Sequence, residues 1–203
     1  MKKQNFFDQL DGGWEDLIAD TYKEANKFKV KYVVKEGKYK SKYKNILDIH
    51  KPEEILKDTI LELDDDVNVI GYAAFANCKN LIGNLYLPNS IHFLGSRAFM
   101  NCGFTGDLKL PENLEYLDSG CFYGCDGFSN GQLILNEKLI FIQDRAFMNC
   151  GFAGDLVIPE SVNYIGSYAF AGCNFDKIYV DKSNVNLFSE NCNSGCNAEI
   201  VYY

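Results

Sequence analysis

A phenylalanine recurs along this 203-residue chain at steps of 24, 23, 25 and 23 residues, and a cysteine follows each copy three residues later. Each unit has a Leu-x-Leu segment, often followed by proline, and then an Ile/Leu-x-x-x-Ala-Phe-x-x-Cys segment. A unit this short cannot bury its own apolar face, but stacked units share one core. The spacing therefore predicts a solenoid. The five phenylalanines are Phe75, Phe99, Phe122, Phe147 and Phe170.

The first segment of each unit alternates apolar and variable residues, as Leu85-Tyr86-Leu87 shows. This alternation is typical of a strand with one buried face. Proline follows directly at Pro88, Pro111 and Pro159, and it ends pairing because it cannot donate to a ladder. We expect these strands to form one curved parallel sheet. They begin at Leu61, Leu85, Leu108, Leu133, Leu156, Ile178 and Ile200.

The second segment predicts a tight turn in a crowded corner. Asn or Gly always precedes the cysteine, as at Asn77 and Gly124, and these residues best tolerate a left-handed backbone. Ala or Cys precedes the phenylalanine, as at Ala98 and Cys121, because an interior corner admits only small side chains.

The segment from Leu156 to Cys173 resembles the BspA-like class of leucine-rich repeats, whose motif runs close to Leu-x-x-Ile-x-Ile-Pro-x-x-Val-x-x-Ile-Gly-x-x-Ala-Phe-x-x-Cys. The resemblance implies a leucine-rich-repeat solenoid, mainly β with a curved parallel sheet, over residues 61–203. It also implies a protein-binding or adhesive role. Family members are often secreted or at the cell surface.

Residues 1–60 lie outside the repeats, and we expect a small α+β cap there, because a solenoid end needs a polar cover. Residues 14–27 have helical spacing, and a short helix is predicted from Pro52. Between them, residues 27–44 hold eight lysines and one glutamate and predict a Lys/Tyr-rich hairpin turning at residues 36–38. The hairpin is either a lysine-protected edge or a basic patch for acidic partners or nucleic acid. The patch residues are Lys38, Lys40, Lys42 and Lys44.

Charge and hydropathy constrain the class of protein. The net charge of −8 disfavours general nucleic-acid binding. Residues 1–10 have no apolar run of the signal-peptide type, and no run of 18 apolar residues predicts a membrane span. The expected location is cytoplasmic or within a virion or other assembly.

The residues that could carry chemistry do not combine into a catalytic or metal site. Five of the eight cysteines form one repeat column and read as small apolar core residues. Cys192 and Cys196 could pair only in an oxidising setting. No partner set assembles around His50 or His92, and residues 64–66 read as a solvated turn. We expect a non-enzymatic protein with no metal and no cofactor.

The outward-facing strand position is the candidate contact surface. Five of its seven residues are apolar or aromatic, which is typical of a surface that binds protein. We expect a protein partner on the concave sheet. The alternative is a structural subunit of a larger assembly, with homo-oligomer contacts at the lysine hairpin and at the edge strand near Val201. The predicted partner-binding residues are Tyr86, Lys109, Ile134, Val157 and Tyr179.

Overall fold

The structure is a computed structural model that describes residues 32–35, 60–63, 65, 67, 69–184, 187–188 and 191–203. Within these residues the regular elements are short strands and two three-residue 3-10 turns, Asp126–Phe128 and Lys182–Asn184. The strands are β1 Tyr32–Lys35, β2 Ile60–Leu63, β3 Val69–Ile70, β4 Ile82–Gly83, β5 Phe93–Leu94, β6 Gly103–Phe104, β7 Leu108–Lys109, β8 Tyr116–Leu117, β9 Leu133–Ile134, β10 Phe141–Ile142, β11 Ala153–Val157, β12 Tyr164–Ile165, β13 Asn174–Val180 and β14 Glu199–Tyr202.

The longest described sheet is parallel and runs in the order β3-β5-β8-β10-β12, one strand from each successive coil. Its inward residues share one register, so that Leu117 aligns with Leu94 on one side and Ile142 on the other. The residues after β5, β8, β10 and β12 continue the ladder, as where Gly95 N–H donates to the Ile70 carbonyl at 2.8 Å. The predicted parallel solenoid is confirmed.

The Leu-x-Leu segments differ from the single sheet that the sequence predicts. They form two separate parallel sheets, β7-β9 and β11-β13-β14, and residues 85–87 carry no strand. An open cleft separates residues 85–87 from the next coil. Proline directly after the strand removes a ladder donor in three coils, whereas the residues that follow β5, β8, β10 and β12 each donate to the preceding coil.

The remaining described strands flank these sheets. Strand β4 pairs with β6 in parallel, and β1 pairs with β2 antiparallel, placing Tyr32 opposite Leu63. The expected hairpin strand before residue 36 is therefore present, but its described partner is β2. The remainder of the predicted hairpin lies outside the described residues, and it includes Lys38, Lys40, Lys42 and Lys44. Both predicted helices and His50 lie outside them as well.

The turn between the phenylalanine and the cysteine is left-handed, as predicted. The backbone φ angle is +63° at Asn77, +55° at Asn101 and +72° at Gly124. Successive backbone N–H groups in this turn donate alternately to a carbonyl of the next coil and to a carbonyl of their own coil. Phe99 N–H reaches the Cys121 carbonyl of the next coil at 2.8 Å, while Met100 N–H closes a turn on the Arg97 carbonyl at 3.1 Å. This alternation satisfies the backbone without a strand.

Phenylalanine rings form a continuous stack through the core. Phe99, Phe122 and Phe147 lie face to face with centroids 5.3 Å and 5.7 Å apart, and Phe75 and Phe170 extend the stack at its two ends. Ala98, Cys121 and their counterparts are buried beside it, which confirms the predicted small-residue column.

A second phenylalanine column was not predicted. Its rings meet the first stack edge-on, as Phe104 does against Phe99 at 5.8 Å, and Phe128 and Phe152 stack at 4.9 Å. The sequence signal is a phenylalanine two or three residues after each repeat cysteine from the second coil onward. The two columns together fill the core with aromatic rings.

Candidate functional site

The predicted partner-binding residues lie along the outer side of the Leu-x-Leu segments. Lys109 aligns with Ile134 in one sheet, and Val157 aligns with Tyr179 and Val201 in the other. Their neighbours in the chain, such as Leu108 and Leu156, face the core and are buried. The alternation within these strands therefore turns Lys109, Ile134, Val157 and Tyr179 away from the core, and Tyr86 has the same position in a coil without a strand there. We name Tyr86, Lys109, Ile134, Val157 and Tyr179 the outer row.

The outer row is rich in exposed apolar surface. Tyr86 is 78% exposed, Val157 54% and Ile134 42%, whereas Tyr179 is half-buried. These three residues are among only seven large apolar side chains that are exposed in the described part of the chain. Exposed apolar side chains at one repeat position make the outer row a candidate contact surface.

A cleft of about 420 Å³ opens at the N-terminal end of the outer row. Tyr86 and Lys109 line it from successive coils, and Asn84 and Asp107 contribute polar groups. The Lys109 ammonium lies 3.8 Å from the Glu112 carboxylate, but both side chains are exposed, so this contact holds the lysine only weakly. The cleft thus combines an exposed aromatic ring with a solvated cation.

Polar residues lie two positions before each member of the outer row. Asp107 accepts a 2.8 Å hydrogen bond from the Gln132 amide nitrogen of the next coil, and Lys177 lies 3.7 Å from Glu199. Asn84 and Asp155 are exposed. This arrangement, apolar residues beside a polar margin, resembles the core and rim of protein interfaces.

The cysteines belong to the core. Every described cysteine is buried with a free thiol, including Cys192 and Cys196. Burial raises the pKa of the Cys125 and Cys173 thiols to about 12, so both are protonated at neutral pH. A thiolate is the reactive form of cysteine, and these sites disfavour it.

The thiols also have a structural partner that the sequence did not reveal. The Cys102, Cys125 and Cys150 thiols each donate to a phenylalanine carbonyl of the preceding coil, at 3.0, 2.9 and 3.0 Å. Among the described residues, no group of three or more His, Cys, Asp or Glu side chains could hold a metal ion. His92 is exposed.

A second cleft, on the turn face, was also missed. Its lining includes Arg97 and Arg145. The available signal was the hexapeptide Arg-Ala-Phe-Met-Asn-Cys, which occurs at residues 97–102 and again at 145–150.

The repeat geometry agrees with the family comparison. The BspA type leucine rich repeat region matches residues 56–174 in six copies, which is more than half of the chain. The chain belongs to this family. Members of leucine-rich repeat families generally take part in protein interactions, and the solenoid fold is generally non-enzymatic.

A solved leucine-rich repeat structure is similar to part of this chain. A crystal structure of a leucine-rich repeat protein from Bacteroides ovatus ATCC 8483 is similar at 20% identity with a TM-score of 0.45, over 59% of this chain and 36% of that one. The chain thus spans about a third of that protein's length. Comparison with curated proteins found no match.

Within the described residues, no helix has the length and apolar character needed to cross a membrane.

Proposed function

We propose that this protein is a non-enzymatic scaffold that binds a protein partner through the outer row. The observation that carries the proposal is that Tyr86, Ile134 and Val157, which occupy the same position of the repeat, are three of the exposed large apolar side chains. Aromatic and apolar side chains at the centre of an interface contribute most of its binding energy. The polar margin beside the row would form the rim.

The test begins with identifying the partner by capture from the native host and mass spectrometry, and then measures its affinity in purified form. Tyr86→Ala and Ile134→Asp should each weaken binding by about tenfold or more, because each removes or charges an exposed apolar contact. The matched control is Tyr203→Ala, which truncates another exposed tyrosine outside the row. All three variants should unfold cooperatively. Unchanged affinity in both row variants would refute the proposal.

A structural subunit is the second candidate, and the edge of β14 favours it. Tyr203 N–H donates to the Val180 carbonyl, and Lys182 N–H donates to the Tyr203 carbonyl. Along a parallel strand, the N–H and C=O groups of successive residues point alternately to the two neighbouring sides. Because the Tyr203 groups point towards β13, those of Ile200 and Tyr202 face away from β13. No described strand pairs with β14 on that side. Such an edge can add a strand from another subunit.

Two substitutions at Tyr202 separate backbone pairing from side-chain contact. Tyr202→Pro removes an outward N–H while sparing the bonds to β13, whereas Tyr202→Ala keeps that N–H. If the edge joins subunits, sedimentation should show association of the parent protein and of Tyr202→Ala, but not of Tyr202→Pro. A parent protein that stays monomeric at all concentrations and salt levels would exclude this candidate.

A further inference from the structure

The turn face of the solenoid carries an open cleft of about 420 Å³ that three successive coils line. It lies on the phenylalanine–cysteine turns, a different part of each coil from the outer row. Arg97 and Arg145 occupy equivalent positions in coils two apart, and Gly120 takes that position in the coil between. Since successive parallel strands are about 4.8 Å apart, the two arginine backbones are roughly 10 Å apart.

Gly120 creates the space between the two arginines. Its φ angle is +61°, and an added Cβ would lie 3.6 Å from Arg97 Cγ and 3.6 Å from Tyr123 Cβ. Any larger side chain here would project into the cleft that Gly120 lines. Because Gly120 has no side chain, backbone atoms form the floor of the cleft at this point.

These two residues are the only arginines in the sequence, which otherwise uses lysine for its positive charges. Each is oriented by an aromatic neighbour. Arg97 Nη1 donates to the Tyr72 hydroxyl at 3.4 Å, and the Arg145 guanidinium carbon lies 5.8 Å from the centre of the Tyr168 ring. Such contacts limit side-chain motion while leaving most guanidinium donors available.

Neither arginine has an anionic partner within the part of the chain that the structure describes. The salt bridges there join Lys109 to Glu112 and Lys177 to Glu199. Two exposed guanidinium groups beside one cleft, each able to donate a fork of hydrogen bonds, match carboxylate or phosphate oxygens.

The other residues that line the cleft restrict the chemical class of ligand that it can bind. Met100, Met148 and Tyr123 are half-buried and give the cleft adaptable apolar walls. Asp144 also lines it, and its Oδ1 accepts a 2.8 Å hydrogen bond from the Ser167 amide. A negative charge at this place opposes a phosphate dianion more than a carboxylate, because repulsion grows with ligand charge.

We propose that this cleft binds an acidic peptide segment, with one carboxylate at Arg97 and a second at Arg145. In an extended segment, side chains on one face recur about every 6.6 Å, so acidic residues two or four positions apart can reach the two arginines, whose long side chains make up the difference from roughly 10 Å. The methylene groups of the peptide's acidic side chains would lie against Met100 and Met148. The cleft would thus be a second contact surface, independent of the outer row.

Fluorescence anisotropy with a short labelled polyglutamate peptide at low salt tests this site in the full chain. The double variant Arg97→Met/Arg145→Met should bind the peptide at least about tenfold more weakly, because each arginine–carboxylate pair that it removes is a charge-assisted hydrogen bond. The matched control is Lys79→Met/Lys182→Met, which makes the same change in net charge at exposed sites away from the cleft. It should keep its affinity within about twofold, because exposed distant charges are screened.

Two further arms sharpen the result. Asp144→Asn keeps an oxygen for the Ser167 amide but removes the repelling charge, so it should strengthen polyglutamate binding about two- to fivefold. Tyr86→Ala should leave it unchanged, which separates this site from the outer row. No binding by the parent protein, or equal losses in the arginine and lysine double variants, would overturn the proposal. Tighter, arginine-dependent binding of a phosphoserine peptide would overturn the carboxylate assignment.

Discussion

The Cys150 thiol donates a hydrogen bond to the carbonyl oxygen of Phe122 in the preceding coil, with 3.0 Å between Sγ and O. Cys125 and Phe99 repeat this contact one coil earlier at 2.9 Å. The same Phe122 carbonyl oxygen also accepts a hydrogen bond within its own coil, from the backbone N–H of Cys125 at 3.2 Å. This second bond closes the turn. The repeat cysteine is thus both a small core residue and a link between coils.

Replacing Cys150 by alanine should lower the free energy of unfolding by about 1–3 kcal/mol, because it removes buried sulfur and a donor to a buried carbonyl. Urea denaturation measures this loss. Cys196→Ala is the matched control, since Cys196 lies in the last coil and makes no described bond of this kind. An equal loss in the two variants would show that the thiol–carbonyl contact contributes nothing.

Alkaline pH should destabilise the fold. Burial raises the pKa of Cys125 and Cys173 from 9.0 to about 12, and that of Cys192 to about 11. Above pH 9 the unfolded chain loses these protons while the folded chain keeps them, so stability falls as pH rises from 9 towards 12. Urea midpoints between pH 7 and 11 measure the fall. Cys173→Ser should flatten this dependence, and an unchanged slope would contradict the assignment to buried thiols.

The buried thiols should also be chemically inert in the folded protein. At pH 8 an aromatic disulfide reagent should react slowly with the native chain and with all eight cysteines once it is unfolded in urea. The rate should track the opening of the fold. Rapid reaction of several thiols in the native state would contradict the buried column.

The central ring of the phenylalanine stack should be more sensitive than an outer ring. Phe122→Leu should cost about 1–3 kcal/mol of unfolding free energy, because Phe122 is buried between Phe99 and Phe147 and leucine cannot fill its place. Phe141→Leu removes a half-buried ring from β10 and should cost less. Thermal and urea unfolding compare the two, and equal costs would argue against the stack as the main packing element.

The turn glycines should couple to asparagines of the preceding coil. Gly124 has a φ angle of +72°, and an added Cβ would collide with the side-chain oxygen of Asn101. Gly124→Ala should cost about 1–3 kcal/mol from the left-handed backbone and this collision together. In an Asn101→Gly background only the backbone part should remain. A double-mutant cycle on urea stability measures the difference, and strict additivity would contradict the contact.

The repeat columns were predictable because each depends on local stereochemistry. The left-handed turn at Asn77 and Asn101, the small residue at Ala98 and the buried leucines at Leu85 and Leu108 all follow from the residue types and their spacing. The family followed from the same columns. The exposure of Tyr86 followed from strand alternation, and its role as a contact residue remains a proposal.

The sequence by itself determined the solenoid, its coil length and the inward direction of each column, because those depend on periodic local preferences. Tertiary structure decided which segments form a continuous ladder, since that depends on how closely neighbouring coils approach. It also decided that the Cys150 thiol meets Phe122 and that Arg97 and Arg145 share a cleft across Gly120. These contacts join residues from different coils, and they exist only once the coils have stacked.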